Sequence, residues 1–156
     1  MNLRWLKQIG LGFAVVIIQV LFFQHLSIFS MQADFVLLFL IWFISRKSRT
    51  SSILMAAFLG FMQDALLGSW GLNMFTKTLL TFVAHKWLSE RIKKQNQLPQ
   101  MLFIVLAVAL IHNLIFLIVS SFVQTYATES LFWRVLIGNS IYTTCISGII
   151  QLFRTR

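Results

Sequence analysis

Long apolar stretches divide this chain, and short polar segments separate them. The stretch from Gln8 to Ile44 contains 37 residues and a single charged side chain, Asp34. As one helix it would be roughly 55 Å long, almost twice the hydrocarbon thickness of a bilayer. The pattern therefore predicts two helices here, joined by a turn between Gln24 and Asp34. Because Arg46 follows so closely, we expect the second helix to begin before Asp34 and to hold that carboxylate near the outer surface.

The stretch from Thr50 to His85 is also too long for one membrane-spanning helix. The sequence GSWG, Gly68 to Gly71, interrupts it, and glycine permits the tight turn that two antiparallel helices need. After a polar segment, SERIKKQNQLPQ, two further apolar stretches complete the chain. We predict an all-α integral membrane protein with one polytopic domain, residues 1-156, and six spans at 8-26, 30-45, 51-67, 72-87, 101-123 and 131-153.

Composition agrees with a membrane protein, because 58% of the residues are hydrophobic and only 11% are charged. Soluble domains are about 25% charged. The net charge of +9 is divided among short clusters between the apolar stretches. Such clusters are typical of loops that face anionic lipid, and they argue against a nucleic-acid-binding surface.

The basic residues also predict the orientation. All thirteen lysines and arginines except Lys77 and Arg134 fall at the termini or in alternate loops of the six-helix arrangement. The positive-inside rule makes that side cytoplasmic. We therefore expect both termini in the cytoplasm.

The third predicted helix carries a stripe of small residues around one carboxylate. Ala56, Gly60, Asp64 and Gly68 are spaced by four, so they share one face, and small residues there let another helix approach closely. Asp64 and Lys77 lie at similar depths on either side of the GSWG turn. We expect Asp64 to bond to Lys77, as its main partner, or to amides of the turn. An ion or substrate site is the alternative.

A second polar pair, His112 and Asn113, falls at the middle of the fifth predicted helix. Interhelical hydrogen bonding accounts for polar groups at this depth. A proton relay is the alternative, but a relay needs a chain of titrating groups, and we expect no carboxylate beside this histidine. Partners expected at similar depth are Gln19, Asn139, Tyr142 and Thr143.

Enzyme motifs are missing from the sequence, which contains no HExxH, P-loop, GxSxG or metal-spaced Cys/His set. The carboxylates Asp34, Asp64 and Glu129 would all approach the outer surface, where a group of them could bind a cation or act as acid and base. No motif orders them. We therefore predict a protein without catalytic residues, bound metal or cofactor.

The stretch around Asp64 resembles a known family. A small six-helix protein with Asp34 opening its second helix, a basic loop, and then GFMQDALLGSWGLN is similar to the bacterial rod-shape-determining MreD family. The similarity is strongest from about Ala33 to Trp87. The family has a glycine-aspartate-glycine segment, and it is matched here by Gly60, Asp64, Gly68 and Gly71. We expect structural or partner-related roles for Asp34, Gly60, Asp64, Gly68, Gly71, Lys77, His112 and Asn113.

The resemblance implies a non-enzymatic component of the cell-elongation machinery in the bacterial cytoplasmic membrane. Proteins of this family bind the bitopic protein MreC and act with the filament protein MreB, the glycan polymerase RodA and a penicillin-binding transpeptidase in peptidoglycan synthesis. The resemblance also implies a fold similar to that of the substrate-capture subunits of energy-coupling-factor transporters. A vitamin-binding transporter subunit, or a small lipid or ion carrier using Asp64 and Lys77, is the alternative function.

Overall fold

The computed structural model describes residues 3–23, 31–94, 97–122 and 132–154. Six α-helices account for most of these ranges: α1 Leu3–Ile18, α2 Phe35–Ile44, α3 Arg49–Leu67, α4 Leu72–Lys94, α5 Leu98–Phe122 and α6 Asn139–Arg154. A π-helical segment continues α1 at Gln19–Phe23, and another precedes α6 at Arg134–Gly138. The ranges that the structure describes contain no β-strand. The predicted all-α class is therefore confirmed.

Within the part of the chain that the structure describes, three helical stretches are long and apolar enough to cross a membrane: Arg49–Leu67, Leu98–Phe122 and Arg134–Phe153. Two shorter apolar helices cover Leu6–Leu21 and Phe35–Ile44. These lengths agree with a membrane protein. The arrangement of six crossings and its six boundaries remain a prediction.

Helix α2 lies at the centre of the bundle. It contacts α1, α3, α4, α5 and α6, and Val36, Leu37 and Phe43 are each at most 1% exposed. A helix that is apolar on all sides is stable only where other elements surround it. With ten residues, α2 is roughly 15 Å long, about half the hydrocarbon thickness.

The expectation that this helix begins before Asp34 is wrong. Helix α2 begins at Phe35, and Asp34 is its N-cap. The Asp34 carboxylate accepts a hydrogen bond from the Leu37 amide, with 2.9 Å between Oδ1 and N. This contact is the usual N-cap interaction, in which a side chain replaces the missing backbone acceptor.

Helices α3 and α4 form a tight antiparallel hairpin through the GSWG turn. Gly68 and Gly71 have φ angles of 67° and 84°, in the left-handed region that glycine adopts without strain. Gly60 lies at a close approach of the two helices, because a Cβ added there would be 2.5 Å from the Cα of Met74. The predicted turn is confirmed, and so is a close approach of the helices at Gly60, whereas a Cβ added at Gly68 would have nothing within 4 Å.

Two clusters of buried apolar side chains share α2. One joins it to α4 and α5 through Leu40, Leu80 and Val105. The other joins it to α1 and α3 through Phe43 and Val16, with Leu59 beside them. The central helix therefore connects both halves of the core.

The six-helix arrangement predicts that Ser48 faces the cytoplasm and Ser69 the outside. Single cysteines at these positions, in a Cys145→Ser background, can be tested with a membrane-impermeant thiol reagent. We expect no labelling of Ser48→Cys in intact cells, and labelling of Ser69→Cys once any outer barrier is permeabilised. Labelling at position 48 in intact cells would contradict this orientation.

Candidate functional site: a buried ionic network

Asp64, in the last turn of α3, caps the beginning of α4. Its Oδ1 accepts hydrogen bonds from the Asn73 backbone amide at 2.9 Å and the Asn73 side-chain amide at 3.0 Å. Its Oδ2 accepts from the Met74 amide at 2.8 Å. The first amides of a helix have no partner within the helix, and a negative charge is favoured there. The carboxylate thus accepts hydrogen bonds from N–H groups of α4 that have no partner within the helix, and it joins α4 to α3.

The side chain of Asn73 connects Asp64 to Lys77 by hydrogen bonds. Its side-chain oxygen accepts from Lys77 Nζ at 3.2 Å, four residues further along α4. Lys77 Nζ also lies 2.8 Å from Asp34 Oδ2, and the lysine side chain is 0% exposed. Helices α3, α4 and the beginning of α2 are therefore joined by one continuous set of charged and amide groups.

The expected main pairing of Asp64 with Lys77 is wrong. Three N–H donors already occupy the Asp64 oxygens, whereas Asp34 Oδ2 is open to the ammonium group. Bonding of Asp64 to amides of the turn, the other partner expected, is also not what these contacts show, because the donors belong to Asn73 and Met74 in the first turn of α4. Sequence reasoning missed Asn73, for which the spacing of four from Lys77 on one helix was the available signal.

His112, on α5, lies near the same carboxylate. Its Nε2 is 3.9 Å from Asp34 Oδ2, and the residue is 3% exposed. This Nε2 is buried and has no hydrogen-bond partner among the described residues. The expectation that no carboxylate accompanies this histidine is wrong, because folding brings Asp34 to it from a distant part of the chain.

Asn113 extends the network to the last helix. Its side-chain amide donates to Ser140 Oγ at 2.8 Å, and the His112 Nδ1 lies 3.4 Å from its oxygen. Ser140, which is 0% exposed, was not among the expected partners. Interhelical hydrogen bonding by Asn113 is nevertheless what the structure shows.

Three of the expected partners, Gln19, Asn139 and Thr143, instead form hydrogen bonds with the backbone around the beginning of α2. Their side-chain oxygens accept hydrogen bonds from backbone N–H groups. Gln19 belongs to the π-helical segment that continues α1, and Asn139 and Thr143 belong to α6. The pairs are Gln32 N with Asn139 Oδ1 at 2.8 Å, Asp34 N with Thr143 Oγ1 at 3.1 Å, and Val36 N with Gln19 Oε1 at 2.8 Å. Tyr142 is not part of this set. A backbone N–H group without a hydrogen-bond partner inside an apolar bundle raises the free energy of the folded state. These contacts supply the partners.

The arrangement is suited to holding helices together. Its two carboxylates, one ammonium group and one imidazole come from α3, α4, α5 and the beginning of α2, and each carboxylate has both oxygens in polar contacts. Across the described residues, no three His, Cys, Asp or Glu side chains form a group that would hold a metal ion. The predicted site residues Asp34, Asp64, Lys77, His112 and Asn113 therefore belong to one network, and Gly60, Gly68 and Gly71 shape the hairpin beside it.

Fold and network together define a helical membrane protein in which Asp34, Asp64, Lys77 and His112 lie in one network inside the bundle. The family model for rod shape-determining protein MreD matches residues 1–154, and the chain belongs to the MreD family. Its role accordingly lies in determining rod shape, within the shape-determining complex. No curated protein and no solved structure matches the chain.

Proposed function

We propose that this protein is a non-enzymatic membrane scaffold that binds MreC directly and thereby supports peptidoglycan synthesis during cell elongation. The observation that carries the proposal is the family match over residues 1–154. In the same proposal, MreB, RodA and a penicillin-binding transpeptidase belong to the complex, and the protein crosses the cytoplasmic membrane several times.

The inward-facing network supports a scaffold. Asp34, Asp64 and Lys77 form hydrogen bonds and an ion pair that join their helices. These contacts hold the bundle in one arrangement. The connections between α2 and α3 and between α3 and α4 are only a few residues long. At these two connections a partner meets helices rather than long loops, and association of helices within the bilayer depends on close packing.

The alternative of a vitamin-binding transporter subunit requires a pocket that opens to the outside. The structure has a cavity of about 600 Å³ beside Arg46, at the end predicted to be cytoplasmic. An ion carrier using Asp64 and Lys77 is also disfavoured, because the Asp64 oxygens already accept three N–H groups. These observations favour the scaffold.

Co-purification with tagged MreC tests the proposal directly. We expect the full chain, solubilised in mild detergent, to be retained by MreC and not by an unrelated bitopic protein with the same tag. An MreC in which an unrelated apolar sequence replaces its single span should retain much less, because the helix faces supply the contact. If neither MreC retains the protein, direct binding is refuted.

A vitamin screen supplies the matched test of the alternative. A transporter subunit would gain thermal stability when its vitamin binds only the folded state. We expect no shift in melting temperature with any vitamin tested. A reproducible shift, together with normal rod shape after depletion of the protein, would favour the transporter function.

A further inference from the structure

A cavity of about 600 Å³ opens between α2, α5, α6 and the end of α4, away from the ionic network. The residues that line it are apolar at one end and polar at the other. Leu38, Ile41 and Val105 line one end, and Ser45, Arg46, Gln97 and Gln151 line the other. From Gln97 to Val105 the rise along α5 is roughly 12 Å. The cavity is therefore an apolar slot with a polar mouth.

The mouth is positively charged. Among the described residues that line the cavity, Arg46 is the one charged side chain. Its guanidinium lies 5.0 Å from the centre of the Trp42 ring, and this cation–π contact holds it beside the ring. A guanidinium group binds phosphate through paired hydrogen bonds. The mouth suits a phosphate group, and the predicted orientation places it on the cytoplasmic side.

The size of the cavity and the residues that line it favour a lipid. Ligand cavities for small molecules range over about 300–1,000 Å³. A soluble anion would occupy only the mouth and leave the apolar slot without contacts. A single acyl chain below a phosphate fits both parts.

We propose that this cavity is a binding site for an anionic phospholipid of the cytoplasmic leaflet, with the phosphate at Arg46 and one acyl chain between α2 and α5. The site goes beyond the scaffold function, because it makes the membrane lipid itself a ligand of the protein. A basic residue at a membrane surface contributes about 1 kcal/mol toward anionic lipid, which corresponds to about fivefold in affinity.

Native mass spectrometry of the full chain in mild detergent, titrated with phosphatidylglycerol or phosphatidylcholine of the same acyl composition, tests this site. We expect phosphatidylglycerol to bind about fivefold more tightly. Arg46→Gln should abolish that preference. Arg91→Gln is the matched control, because Arg91 also lies over a tryptophan, 5.9 Å from the Trp87 ring, but outside the cavity; it should keep the preference.

A second pair of variants tests the acyl-chain slot. Met101→Trp fills the cavity from α5 and should weaken binding of both lipids severalfold. Phe103→Trp is its control, because Phe103 is on the same helix but 72% exposed, and it should bind as the parent protein does. Equal affinity for the two lipids in the parent protein, or unchanged binding by Met101→Trp, would overturn the proposal.

Two competitors distinguish other occupants. Glycerol 3-phosphate that displaces phosphatidylglycerol at millimolar concentration would make this a site for a soluble anion. Displacement by a peptide corresponding to the span of MreC would make it a helix-binding site. We expect neither to displace the lipid.

Discussion

Lys77→Met should lower the free energy of unfolding by about 3–5 kcal/mol, because it removes the cation from a buried ion pair and leaves the carboxylate uncompensated. Lys77 is 0% exposed and the Asp34 side chain 17% exposed, so water compensates little for the loss. The substitution also removes the donor to Asn73. Titration of the detergent-solubilised protein with sodium dodecyl sulfate measures the change.

A double-mutant cycle shows whether Asp34 is the partner. Asp34→Asn keeps an N-cap side chain for the Leu37 amide, since asparagine caps helices as well as aspartate does. Alone it should also destabilise, because it leaves Lys77 as an unpaired buried charge. Combined with Lys77→Met it should recover much of the lost stability, so the coupling free energy should exceed about 1 kcal/mol.

Asp64 provides the comparison for that cycle. It reaches Lys77 only through Asn73, so the coupling of Asp64→Asn with Lys77→Met should be smaller than that of Asp34→Asn with Lys77→Met. A larger coupling of Lys77 to Asp64 than to Asp34 would show that the ammonium group pairs with the carboxylate of the hairpin. The arrangement described above would then be wrong.

Gly60→Ala should destabilise the hairpin by about 3 kcal/mol, at the upper end for inserting one methyl group into a packed core. The added Cβ would lie 2.5 Å from Met74 Cα and 2.7 Å from Met74 N. Backbone atoms cannot move aside as a side chain can, so α3 and α4 must separate. Asp64 lies one turn after Gly60 on α3, so the separation would also lengthen its hydrogen bonds to Asn73 and Met74.

Gly10→Ala is the matched control for this substitution. It changes a glycine within α1 where an added Cβ would have nothing within 4 Å. Alanine is the better helix former by about 0.5–1 kcal/mol, so this variant should be as stable as the parent or slightly more stable. Equal loss of stability in both variants by thermal melting would show that close helix approach at Gly60 is not the cause.

The hairpin was predictable from the sequence because its determinants are local. Gly60, Asp64 and Gly68 share a face by spacing alone, and the glycines of GSWG indicate the turn. Asn113 could be assigned to a helix contact for a similar reason, since a polar group at that depth needs a partner. Such arguments use only spacing and depth.

The ionic partners were not predictable in that way. Asp34, Asp64 and Lys77 were all expected toward one end of the bundle, so depth did not distinguish the two carboxylates. The choice depends on which oxygens remain open after the backbone amides of α4 are satisfied, and on the packing of α2 in the centre. Asn73 was missed because its side chain joins two charges without carrying one.

The hydrogen bonds at the beginning of α2 impose an order on the making of the protein. The amides of Gln32 and Asp34 donate to Asn139 and Thr143, which are 107 and 109 residues later in the chain. A ribosome synthesises these acceptors more than 100 residues after the donors. The segment that leads into the central helix therefore receives these two hydrogen bonds only after α6 has been synthesised.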